Sequence, residues 1–297
     1  MERMQTLSKT ALFLCCGLIF WGCSICWARE PTNAKWLQQP KKPATVAETY
    51  QRLLKQTPDS LEALERLEQL LLRWRRYDDL MWVADMLVGK GELEEAKKLL
   101  QTLAGKLPKQ AGRIRFEIAQ IHYFQGEFQQ MLRLCQQLIR GGTAEDYVND
   151  ALEKMVFVRE NLNPPQALRL FATAQLLLRQ QKYSQALREL EQLQAEFPHS
   201  TLSDDLLLLE SRVKEQMGDF QPAIDALRKL LSEYPQSPLC AQAQKRIGEI
   251  YERRLQDYQG AEREYKLFLL HYPQSVMASE VRGMLQRLKT KAIRPLF

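Results

Sequence analysis

Histidine is almost missing from this chain: three occur in 297 residues, His122, His199 and His271. None has a second ligand or an acid at motif spacing, which excludes the H-E-x-x-H metal site and the zinc patterns. His199 and His271 border proline stops and read as exposed turn residues, and His122 reads as a packed or groove-edge side chain. Glycine is thin as well, at 13 residues, and neither a phosphate-cradling loop nor a nucleophile elbow occurs. Gly89-Lys90-Gly91-Glu92 has too few glycines, wrongly placed, for a phosphate loop, and it reads as an interhelical turn. Of six cysteines, Cys15, Cys16, Cys23 and Cys26 share one apolar run, so only Cys135 and Cys240 belong to the body and no disulfide framework exists. These two read as small core or groove residues. Cys23-Ser24-Ile25-Cys26 lacks both the thioredoxin-like context and the following histidine that would make it a redox or haem motif. β-Branched residues are sparse beside Leu, Gln, Ala, Glu, Arg and Lys, which disfavours sheet. The expectation is an all-α protein that is not an enzyme and needs no metal, cofactor or small-molecule substrate.

What is present begins with the N-terminus. Arg3 and Lys9 precede residues 11–28 (ALFLCCGLIFWGCSICWA), which carry no charge before Arg29 and Glu30. This reads as an export segment. Three fates stay open: cleavage after Ala28, where Cys26 and Ala28 suit the peptidase; retention as an anchor, since 18 uncharged residues can span a bilayer core; and lipidation at Cys23 after Gly22, with bulky Phe20 and Trp21 counting against it. All three place the body outside the cytoplasm, periplasmic or anchored facing the periplasm. Residues 29–43 (REPTNAKWLQQPKKP) have three prolines, three lysines and no helical period, and they read as a tether. The net charge of +6 is mild and interspersed. Arg73-Trp74-Arg75-Arg76 reads as solvated arginines around one buried Trp74 on a helix, not as a nucleic-acid patch.

An internal repeat organises the rest. Phe197-Pro198-His199-Ser200, Tyr234-Pro235-Gln236-Ser237 and Tyr272-Pro273-Gln274-Ser275 end three segments of similar length. Upstream of each stands an aromatic residue with alanine three positions later: Tyr183 with Ala186, Phe220 with Ala223, Tyr258 with Ala261. Earlier still comes a small residue, Ala174, Ser211 or Gly248, the last one position further away through an insertion within residues 252–257. Fainter copies pair Ala84 with Leu93 and Ala96, and Ala119 with Phe128 and Met131. Two antiparallel helices per unit explain the pattern: the small residue lets the second helix approach, the aromatic fills space beside the turn, and the alanine relieves the crossing. Such hairpins bury their apolar faces only by stacking. Thr45 with Glu48 predicts a capping box, Ser237-Pro238 a helix cap with proline in the first turn, and Gly91, Gly126 and Gly218 the turns within units.

This pattern resembles the tetratricopeptide repeat, and the Tyr-Pro-x-Ser endings resemble the bacterial envelope branch of BamD- and CpoB-like (YbgF-like) proteins. The resemblance implies a right-handed solenoid of helical hairpins with about 13 or 14 helices. Residues 44–140 hold degenerate units, 141–163 an additional helix, 164–275 three well-matched units, and 276–297 a capping helix and tail. It also implies a protein-binding scaffold in envelope assembly, secretion or division, whose concave side is lined three before, one after and four after each small position. Those residues are Phe171, Gln175 and Leu178; Leu208, Arg212 and Glu215; Lys245, Glu249 and Glu252; and Phe116, Gln120 and Tyr123. Mixed apolar and charged chemistry there suits a helical or amphipathic segment of another envelope protein, with packing of the apolar members against the next repeat as the competing reading. Two rivals remain: a tethered structural subunit using its convex face, marked by an exposed apolar patch away from the groove, and an enzyme marked by a deep pocket of convergent titratable groups.

Overall fold

The computed structural model describes residues 45–293 except residue 58 and residues 142–146; the export segment, Cys23 and the tether lie outside the described residues. Among the described residues there are fourteen α-helices and no strand. They are α1 (Val46–Gln56), α2 (Ser60–Arg73), α3 (Tyr77–Lys90), α4 (Leu93–Ala104), α5 (Ala111–Phe124), α6 (Phe128–Arg140), α7 (Tyr147–Glu160), α8 (Pro165–Arg179), α9 (Tyr183–Glu196), α10 (Ser203–Met217), α11 (Phe220–Glu233), α12 (Cys240–Arg253), α13 (Tyr258–His271) and α14 (Ala278–Ile293).

The described residues form two compact units, divided between Leu67 and Glu68. In the first, Thr45 and Glu48 make the expected capping box: the Glu48 N–H donates to the Thr45 hydroxyl at 3.2 Å and the Thr45 N–H donates to the Glu48 carboxylate at 3.0 Å. Two donors that a helix start leaves open are thereby satisfied. Val46, Tyr50 and Leu53 recur at helical spacing and are buried, as are Leu64 and Leu67 on α2.

The second unit is a solenoid of helical hairpins. The paired helices are α3 with α4, α5 with α6, α8 with α9, α10 with α11 and α12 with α13, and each second helix packs on the helix that follows it. Proline sets three of the ends, because the residue before a proline is sterically pushed out of the α region. Thus α9, α11 and α13 stop at Glu196, Glu233 and His271, and Phe197, Tyr234 and Tyr272 leave the helix at φ −131°, −125° and −126°. Pro198, Pro235 and Pro273 themselves are exposed. Ser237 acts differently from expectation. Helix α12 begins at Cys240, so the Ser237 hydroxyl closes the preceding turn, accepting from the Leu239 N–H at 3.0 Å and donating to Asp204 at 2.6 Å. The Arg73–Arg76 stretch is also corrected: α2 ends at Arg73, Arg75 is left-handed at φ +55°, and Trp74 is only half-buried.

Each hairpin turn from α5 onward contains one left-handed residue: Gly126, Gln181, Gly218 and Gln256. Glycine enters this region without steric cost, whereas a side chain there meets the following carbonyl. Gln181 and Gln256 hold φ +60° and +55°. Replacing either with glycine is expected to stabilise the chain by about 0.5–1 kcal/mol, the relief of strain less the added chain entropy of glycine. Urea denaturation measures it, and a destabilised variant contradicts it.

The repeat positions behave as packing residues. Ala84, Ala119, Ala174, Ser211, Ala96, Ala186, Ala223 and Ala261 are all buried, none above 3% exposure. Gly248 marks a tight crossing, where a Cβ would stand 2.4 Å from the Tyr265 ring. Tyr183 and Phe220 pack against the core as expected, but Tyr258 is 44% exposed. One continuous core runs from α5 to α12, and α13 with α14 closes a smaller one around Tyr265 and Phe268.

The additional helix α7 interrupts this order. It stacks on α6 and α5 as the first helix of a next unit would, yet no second helix of its own follows. Instead α8 runs back across the earlier hairpins: Arg169 lies 3.3 Å from where a Gly126 Cβ would be, Gln180 lies 3.1 Å from the same point at Gly91, and Arg179 pairs with Asp85 of α3.

Candidate partner-binding surface

The stripe predicted to line the groove comes apart in three dimensions. Phe116, Tyr123, Phe171, Leu208 and Glu215 are buried, at 8%, 0%, 2%, 6% and 6% exposure, and do not present a surface. Helix α7 is the reason for three of them. The Phe116 ring meets Tyr147 at 6.1 Å, Phe171 meets Phe157 at 5.7 Å, and the Lys154 ammonium sits 3.5 Å above the centre of the Tyr123 ring. The competing reading, packing against a neighbouring helix, therefore holds for these aromatics. Gln120, Gln175, Leu178, Lys245, Glu249 and Glu252 are half-buried, and Arg212 is the one exposed member of the twelve.

On α10 and α12 the stripe is a charge network. Glu215 lies between Arg246 at 2.6 Å and Arg254 at 3.0 Å. Lys245 bonds Glu280 of α14 at 2.6 Å and approaches Glu249 at 3.8 Å, and Glu249 also reaches Arg246 at 3.3 Å and Arg253 at 3.8 Å. Glu252 accepts from the Tyr265 hydroxyl at 2.9 Å. A buried carboxylate needs its charge compensated, and two arginines one unit further along supply this. Arg246 and Arg254 were not among the expected site residues, because their partner is 31 and 39 positions away and no local period marks the pairing. Arg253, 58% exposed, and Gln216 extend the solvent-facing edge beside Arg212.

A second polar cluster joins α5, α7 and α10. Burial pushes the Lys154 ammonium down to about 8 against the attraction of Asp205, and burial, then the neighbouring Asp204 charge, push the Asp205 carboxyl up to about 7. Arg212 and Glu160 are the other charges acting on Asp205. The Tyr123 hydroxyl is buried without a hydrogen-bond partner, and burial with the Asp205 charge raises its pKa. The folded chain thus holds a proton on Asp205 between about pH 4 and pH 7 that the unfolded chain has released, so this group's contribution to stability falls as pH rises across that window. Thermal melts should show Asp205→Asn gaining on the wild type as pH is raised from 5 to 7.5; a constant difference would contradict it.

Among the described residues the concavities are modest. One of about 30 Å³ lies between α9, α10 and α11 beside Phe197 and Tyr234, and an open one of about 300 Å³ lies between the α5–α6 turn and α8. No group of three or more His, Cys, Asp or Glu among the described residues is placed to hold a metal ion, and no helix there is long and apolar enough to cross a membrane. Cys135 and Cys240 are buried free thiols, and burial raises Cys135 to about 11.

Residues 177–247, from the end of α8 into α12, match the family model of the tetratricopeptide repeat. This segment is similar to tetratricopeptide repeats. Tetratricopeptide repeats serve in general as protein-interaction scaffolds, and the fold here is a stack of such hairpins. No curated protein matches the chain. Similar solved structures include MamA (41-end) from Desulfovibrio magneticus RS-1, at 15% identity and TM-score 0.34, covering 68% of this chain and 96% of that one. A tetratricopeptide repeat protein from Parabacteroides merdae shows 19% identity and TM-score 0.35, covering 73% and 75%. The TPR2AB domain of yeast Sti1 in its pHSP90 complex shows 13% identity and TM-score 0.36, covering 84% and 96%. Likenesses of this size carry no functional argument.

Proposed function

We propose that this protein is a non-catalytic, exported tetratricopeptide adaptor of the bacterial cell envelope, periplasmic or anchored facing the periplasm, of the BamD- and CpoB-like type. It holds a helical or amphipathic segment of another envelope protein against the first helices α10, α12 and α14. The observation that carries this reading is the division of the inner stripe. In the earlier units its aromatics are consumed by α7, whereas on α10 and α12 its charged members, of both signs, reach solvent at Arg212, with Gln216 and Arg253 exposed on the same two helices. The uncharged run 11–28 supports export.

Lys245 and Glu249 are tied tightly into the network, whereas Arg253 touches it only at 3.8 Å and Arg212 and Gln216 are exposed, so Arg212, Gln216 and Arg253 are the substitutions that best separate binding from folding. Replacing the three by alanine should change stability by no more than about 0.5 kcal/mol each, as exposed helix positions do, while reducing partner recovery from envelope extracts. A folded variant that retrieves every wild-type partner would refute the inner-face reading. Mass spectrometry of the native protein tests the export reading: Arg29 as first residue means cleavage, intact Met1 an anchor, acylated Cys23 a lipoprotein, and recovery from the cytoplasm defeats it.

A further inference from the structure

We infer that α7 is the first helix of a hairpin whose second helix is supplied in trans, by an amphipathic helix of another protein. The repeat register identifies it. Val156 stands 37 residues after Ala119, the spacing that separates Ala174, Ser211 and Gly248 in succession. Val158, two positions on, is buried like Ile121, Val213 and Ile250 at the same place of their units. Pro165 comes nine residues after Val156, and α4, α6, α9 and α11 each begin nine residues after the small residue of their unit. A helix does begin at Pro165, but it is α8, which turns back onto α5 and pairs with α9. The side of α7 on which a second helix closes a hairpin is therefore open. This does not rest on the inner-face reading.

The side chains on α7 agree. Val156 is 42% exposed, whereas the residues at its place in the other units, Ala84, Ala119, Ala174, Ser211 and Gly248, are all buried. Leu152, four residues earlier, is 44% exposed, while the aliphatics at its place are buried at Leu80 and Leu207 and half-buried at Leu170. With Val148 these two form a stripe at i, i+4 and i+8. At about 100° per residue, Leu152 lies about 160° around α7 from Lys154, which meets Tyr123, so the stripe is turned away from α5. Ala151, Met155 and Val158 beside it belong to the core that runs through α5 and α6, and a helix laid on the stripe continues that core as α11 continues it from α10. The crossing also sets the chemistry of the occupant. Elsewhere the first helix contributes the small residue; here it contributes valine, so the closing helix must bring alanine or glycine to Val156, with aliphatics one turn away for Leu152 and Val148. Glu153 and Glu160 are exposed along the outer edge of the stripe and Arg159 at its end, which suits a lysine or arginine on the flank facing the two acids.

The test uses the full chain in its own host with a photoreactive side chain on the stripe's border, Asn149→benzoylphenylalanine, at a position exposed on α7. Illumination should join it to another protein, and the mapped peptide should be a helix-forming segment with a small residue flanked by aliphatics one turn away. Leu152→Gln and Val156→Gln together should cut this adduct by about tenfold while the purified chain keeps its helical content and melting temperature, as exposed positions do. Amide exchange over residues 147–160 should slow by about tenfold in the complex. No adduct, an adduct to a segment without that pattern, or an adduct that survives both substitutions overturns the inference. Adducts to lipid, to a second copy of the chain or to its own residues 1–44 overturn it in favour of those occupants.

Discussion

Gly248→Ala is expected to destabilise the protein by about 1–3 kcal/mol, and Gly248→Leu by more, because overpacking a closed helix crossing forces either the side chain or the backbone to move. An alanine Cβ would lie 2.4 and 2.6 Å from two ring carbons of Tyr265, well inside contact distance. The ring has little freedom to retreat. Tyr265 is fully buried, its hydroxyl donates to Glu252, and its neighbours are Phe268 and the α14 face with Val281 and Met284. Removing the ring as well should make the second substitution less costly than in the wild type, since the two act on one contact. Urea denaturation of the single and double variants measures both quantities; a loss below about 0.5 kcal/mol for Gly248→Ala would mean that the crossing is looser than these distances.

Phe171→Ala is expected to cost about 3–5 kcal/mol, the range for emptying a buried aromatic site. The two readings of this residue differ here by several-fold. A groove-lining Phe171 could be truncated for no more than about 0.5 kcal/mol, with the loss appearing in partner binding. The structure has it 2% exposed, packed at a tilt against Phe157 with ring centres 5.7 Å apart, at the place where α7 meets α8. The large loss should be accompanied by faster amide exchange in α7 and α8, and its absence would return Phe171 to the groove.

These two residues also show how far the sequence could be read. Gly248 was legible because a repeat forces the same crossing to recur, and a position that admits only small side chains leaves a mark in every copy. The ends of α9, α11 and α13 were legible for a similar reason: proline acts on its immediate neighbour, so the stop is written locally. Gln181 and Gln256 were not, since a left-handed conformation held without glycine leaves no residue-type signal. For Phe171 the 3.6-residue period says only that it shares a helix face with its stripe, not what lies against that face.

The sequence by itself determined what depends on short-range sterics and on repetition: helices in place of sheet, the hairpin unit, its turns and stops, and the buried small positions. Tertiary structure alone decided which surfaces stay open. Helix α7 takes the place of a first helix and covers Phe116 and Tyr123, and α8 turns back so that Arg179 meets Asp85, 94 residues earlier. Whether an apolar or charged residue on a helix face becomes core, ion pair or binding surface is set by which distant helix packs against it. That choice is made by the sum of many weak long-range contacts, none of which imposes a period on the chain that makes it.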